Sequence, residues 1–121
     1  MKRDMELIRE ILMWAEAQDH GYSAGNPKIE GHTDEEIAFH VYLIGQAGLA
    51  KVIDVSDLDS KSPEALFSSI TDQGYEFLIA AKDDSIWDKA KKTIIKPGAT
   101  MTVSFLFEWL KAEAKVRLGL P

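Results

Sequence analysis

A chain of 121 residues with no cysteine, 45% hydrophobic and 28% charged side chains has the length for one apolar core and the composition of a globular domain. Disulfide scaffolds and cysteine-ligated metals are excluded. No apolar run reaches the roughly 18 residues of a membrane-spanning helix, and the charges within residues 1–13 contradict a secretory leader. The expectation is therefore a single cytoplasmic domain over residues 1–121, with no membrane partner. The formal net charge of −6 is uneven: residues 1–81 hold 6 basic and 15 acidic side chains, residues 82–121 hold 8 and 5. Affinity for nucleic acid comes from neutralising phosphates, so the acidic first two-thirds counts against DNA binding there.

The first predicted helix starts at Asp4 as N-cap, with Ile8, Ile11, Leu12 and Ala15 on one face, and ends near Gln18. Residues 19–27 hold Gly21, Ser23, Gly25, Asn26 and Pro27 and read as a loop; Lys28 to Gly31 could add a short strand. Thr33 or Asp34 caps a second helix whose first turn carries Glu35 and Glu36, favoured there by the helix dipole. From Ile37 to Ile44 every residue except His40 is apolar or aromatic. Such a helix must be covered on nearly all sides, by its own domain or by a partner.

After Leu49 the period shortens to two. Ala50, Val52, Ile53 and Val55 form one strand, Leu66, Phe67 and Ile70 another, and the polar stretch 56–63 between them makes a hairpin with a long tip, a wing over about 49–71. Thr71 caps a third helix with Tyr75, Leu78, Ile79, Ile86, Trp87, Ala90 and Ile94 inward. Asp83, Asp84 and Ser85 either kink it or restart it, with Ser85 as the new cap and Asp88 three residues on. Lys96, Pro97 and Gly98 end it. A fourth helix over about 102–118 has two apolar faces, Val103, Leu106, Leu110 and Ala114 on one and Phe105, Trp109, Ala112 and Val116 on another.

Helix, helix, hairpin, helix is the order of a winged helix, an α+β fold of about four helices with a C-terminal helix added. The short helix that usually precedes the recognition helix has no room in the breaker-rich residues 19–31. The opening Met1-Lys2-Arg3-Asp4-Met5 with Leu7-Ile8-Arg9, the run from Glu35 to Leu43 leading to Ala47-Gly48-Leu49, Thr71-x-x-Gly74-x-x-Phe77-Leu78, and Ala81-x-Asp83-Asp84-x-Ile86-Trp87 resemble the bacterial and phage family called domain of unknown function 2513. The resemblance spans nearly the whole chain. It implies a winged-helix-like fold in a small protein often carried by prophages, with no established activity and no catalytic residues to transfer.

DNA binding is the obvious function for that fold, yet no Lys or Arg lies between Ile29 and Ala50, where a recognition helix would read base edges. Only Gln46 suits that task. The basic candidates are Lys51 and Lys61 in the wing and Lys82, Lys89, Lys91, Lys92 and Lys96 along the third helix, interspersed with Asp83, Asp84 and Asp88; Arg3 and Arg9 either join a patch or form surface ion pairs. A metal site from His32, Asp34, Glu36 and His40 lacks zinc-binding spacing, and the plainer reading is a capped helix with one histidine on its surface. His20 sits in a loop. Ser68, Ser69 and Thr71 beside Asp72 read as a strand end and a cap, so neither an enzyme nor a cofactor is expected.

The surplus of apolar faces needs covering. Either the last helix packs over the second and first, or it joins a partner or a second copy through Phe105, Trp109 and Val116. Two functions stand side by side: a regulator that binds duplex DNA, and a protein-interaction module that keeps the winged order without reading DNA.

Overall fold

Every helix begins at an Asp or Thr whose side chain accepts the backbone N–H three residues on. In the computed structural model, which describes residues 1–96 and 100–119, these caps are Asp4, Thr33, Thr71, Asp83 and Thr102. Each is worth about 1 kcal/mol and fixes where its helix starts. They open α1 (Met5–Glu16), α2 (Asp34–Gln46), α3 (Asp72–Ala81), α4 (Asp84–Thr93) and α5 (Val103–Arg117). Between α2 and α3 lies an antiparallel hairpin of β1 (Ala50–Asp54) and β2 (Ala65–Ile70). The fold is α+β, its hairpin follows α2 as a wing follows a recognition helix, and its last helix is C-terminal.

The third predicted helix is thus two helices. Asp83 accepts the Ile86 N–H at 3.0 Å and restarts the chain as α4. The expected cap, Ser85, lies inside α4 and accepts a hydrogen bond from Arg117. The described residues therefore hold five helices where four were expected. Lys28 to Gly31 forms no strand, because the His32 N–H closes a turn onto the Ile29 carbonyl at 3.2 Å. α4 has already ended at Thr93; of the stop predicted beyond it, Pro97 and Gly98 lie outside the described residues. Residues 19–31 contain no helix, so α1 leads to α2 through irregular chain.

The core joins α1 (Leu7, Ile8, Ile11, Leu12), α2 (Ile37, Val41, Ile44), the inner hairpin face (Ala50, Ala65, Phe67) and the later helices (Phe77, Leu78, Ile86, Trp87, Leu106, Leu110). At about 1.5 to 3 kcal/mol for each large side chain fully withdrawn from water, this burial is what holds the elements together. Arg9 ties three of them. Its Nε donates to the Ala81 carbonyl at 2.6 Å, capping the end of α3; its guanidinium pairs with Glu6 and Asp84 and lies 5.3 Å from the centre of the Trp87 ring. The Trp87 indole N–H donates in turn to Glu6 at 2.6 Å.

The turn into α3 explains the Thr71-x-x-Gly74 pattern. The Thr71 hydroxyl donates to the Gly48 carbonyl at 2.6 Å and accepts from the Gly74 N–H at 3.1 Å, while Gly48 takes a φ of 75° that L side chains rarely adopt. A Cβ on Gly74 would stand 2.0 Å from the Leu49 carbonyl oxygen. Only glycine lets α3 start this close to the hairpin's root.

Candidate functional site

The face that α2 and the hairpin build is the one a winged helix would present to DNA. Thr33 and Glu36 close a capping box: the Glu36 N–H donates to Thr33 Oγ1, and the Glu36 carboxylate accepts from the Thr33 N–H at 3.1 Å. That backbone bond, helped by His32 at 3.4 Å, holds the Glu36 carboxyl below the usual carboxylate range. Asp34 binds the Lys28 ammonium through both oxygens at 2.7 Å. Glu35 accepts from the Ser62 hydroxyl at 2.9 Å, so the long tip of the hairpin folds back onto the start of α2.

Two shallow grooves flank this contact. One, of about 340 Å³, lies under the tip beside Tyr42, Asp54, Asp57 and Lys61. The other, of about 360 Å³, runs between Pro27, Lys28, the first turns of α2 and Val55, Glu64 and Leu66. From residue 26 to residue 64 the chain carries 3 basic and 8 acidic side chains, so the segment that builds this face is net acidic. Phe39, Tyr42 and Leu43 are half-buried, and none stands free in water. On the far side of the sheet, Ile53 and Leu66 pair across the strands and are exposed.

The outer edge of β2 is closed by the loop over residues 19–27. Asn26 accepts from the Phe67 N–H and donates to the Ala65 carbonyl, both at 2.9 Å, as a neighbouring strand's backbone would. The Ser23 N–H adds a bond to the Ser68 carbonyl at 2.9 Å. A lone Asn before Pro27 in a loop carries no sequence signal for this role.

The basic candidates do not converge. Lys51 and Lys61 are exposed on the hairpin, whereas Lys89, Lys91 and Lys92 belong to α4, which packs on α3 and α5. Lys89 is bonded to Glu113 at 2.8 Å and lies 5.9 Å from the Trp109 ring centre; Lys91 pairs with Asp88; Lys82 pairs with Glu16 at 2.6 Å. Lys51, Lys61 and Lys92 have no ion-pair partner among the described residues. Lys96 and Arg3 are exposed, and Arg9 is a core strut, not part of a patch.

His40 is buried, 1% exposed, and not on the surface as expected. Its Nδ1–H donates to the Glu36 carbonyl at 2.7 Å and its Nε2 accepts the Asp4 N–H at 2.9 Å, a pairing that requires the neutral ring. Burial lowers its pKa, against the opposing pull of the Glu36 carbonyl and the Asp4 and Glu36 charges. With both nitrogens engaged it has no lone pair for a metal, and no cluster of three or more metal-ligating side chains occurs among the described residues. Near Asp72, the Thr71 hydroxyl is committed to the α3 turn.

α5 packs mainly on α3 and α4, with no contact of comparable extent to α2 or α1. Val103, Leu106, Phe107, Leu110 and Ala114 face inward, with the Phe107 ring 6.3 Å from that of Phe77. The second apolar face stays outside: Phe105 is 55% and Val116 83% exposed, and Trp109 is half-buried under Lys89.

A family model described as "Hypothetical protein (DUF2513)" matches residues 2–100. The chain is 36% identical over 95 residues to a protein of Haemophilus influenzae (strain Rd) described as uncharacterized, covering 78% of this chain and 79% of that one. No solved structure matches it. No helix among the described residues is long and apolar enough to cross a membrane. α5 lies beyond the segment that the family model matches.

Proposed function

The chain belongs to the DUF2513 family, and from its geometry we propose that it is a non-catalytic protein-interaction module of the bacterial or prophage-bearing cytoplasm, winged in order but not a reader of DNA. One observation carries this. The start of α2, which would enter a major groove, presents Asp34 and Glu35, and Glu35 is engaged by Ser62 from the tip of the wing. The Glu35 carboxylate there repels phosphates, Asp34 and Lys28 are already paired with each other, and the folded-back tip occupies the approach. Base-reading side chains are missing from its outer face apart from Gln46.

The second reading, a regulator that grips duplex DNA through its wing, draws on the exposed Lys51 and Lys61 and on the order of elements. Titration of a fluorescent duplex at two salt concentrations separates the two. The interaction module gives no salt-sensitive change in anisotropy. Tight binding that weakens steeply with salt, and that disappears in a Lys51→Glu, Lys61→Glu double variant, replaces it with the DNA-binding regulator.

A further inference from the structure

We propose that the outer face of α5 binds the same face of a second copy of this chain, with the two helices antiparallel; this names the partner that the interaction reading leaves open. Phe105, Trp109, Ala112 and Val116 recur at spacings of four, three and four, the seam of helix-to-helix packing. Phe105, Ala112 and Val116 are exposed on the side of α5 opposite its buried face, and Trp109 stands at the edge of the seam, half-buried beneath Lys89 of α4.

The charges beside the seam select the partner and its direction. Glu108 and Lys115 flank it on one side, Glu113 on the other. A parallel pair of α5 helices would set Glu108 near Glu113 of the partner subunit, which Lys89 and Arg117 already hold, and so would form no new ion pair there. An antiparallel pair sets Glu108 beside Lys115 of the partner subunit, and by the two-fold axis makes the same contact twice. In that register Trp109 meets the small Ala112 of the partner subunit, and Phe105 meets its Val116. Large faces small along the whole seam. At about 1.5 Å per residue α5 is about 22 Å long, so the contact is at the small end of specific interfaces and the dimer should populate at high protein concentration.

The test is the mass of the full chain by sedimentation equilibrium over a concentration series. The mass should rise from 13.5 kDa towards twice that value. Val116→Glu and Phe105→Glu should each weaken association by about tenfold or more, with unchanged circular dichroism and thermal midpoint because both side chains are exposed. Glu108→Lys and Lys115→Glu should each weaken it alone, and the double swap should restore it. A chain that stays monomeric throughout, or a double swap no better than its parents, overturns the pairing. Either failure differs from failure of the interaction reading, which would appear as salt-sensitive binding to duplex.

Discussion

The α2–hairpin face and the outer face of α5 start from similar material, helices with more apolar residues than one side can hold, and finish as opposites. α2 is wrapped by α1 and both strands, its first turn is acidic, and its polar groups bond to Ser62, Lys28 and Thr33. α5 is covered on one side only and leaves Phe105 and Val116 in solvent. What differs is the neighbour. A hairpin that folds back covers one side of α2, whereas α5 packs mainly on α3 and α4, which leave its second apolar face outside. An apolar helix face therefore marks a partner surface only where no other element of the fold lies over it.

The sharpest way to break the closed face is at its root. Gly74→Ala drives a Cβ into the Leu49 carbonyl and the Ile70 side chain, and should lower unfolding free energy by about 3 kcal/mol in denaturant titration. If that variant is near wild type, the tight seat of α3 on the hairpin is wrong. Asn26→Ala removes two bonds to the β2 edge and leaves buried backbone groups unpaired; a loss of about 2 kcal/mol is expected, with faster amide exchange at Phe67. A smaller, graded effect comes from acid. The folded state holds His40 neutral, with a pKa below its ordinary value of 6.5, so the unfolded chain takes up the proton first. This stabilisation is complete above that value and is lost as pH falls below it, with Asp4, Glu36 and His32 the titratable groups nearby. Thermal midpoints measured on either side of that pH should show the fall, and His40→Gln should flatten it. The smallest effect on stability belongs to the open face: Val116→Glu should stay within about 0.5 kcal/mol of wild type.

Much of the fold could be read from caps and periodicity, since Asp4, Thr33, Thr71 and Thr102 stand where their helices start. The restart of the third helix was visible as Asp83, Asp84 and Ser85, but three adjacent capping residues do not say which one caps; Asp83 does, because α4 begins one residue later. The exposed seam on α5 was visible as a second apolar face. His40, Asn26 and Arg9 were not, for one shared reason. Each acts through backbone groups far along the chain: Asp4 is 36 residues from His40, Phe67 is 41 from Asn26, and Ala81 is 72 from Arg9. Composition and spacing carry no trace of such partners. They also account for why the second helix could be seen to need covering while the means of covering it could not.

The contrast between the two faces is tested most directly by backbone amide spectra of the full chain recorded from concentrated to dilute solution. Shifts that move with concentration should cluster on α5 around Phe105, Ala112 and Val116, while α2 and the hairpin stay still. Movement at Tyr42, Ile53 or Leu66, with α5 silent, would contradict the assignment of the closed and open faces.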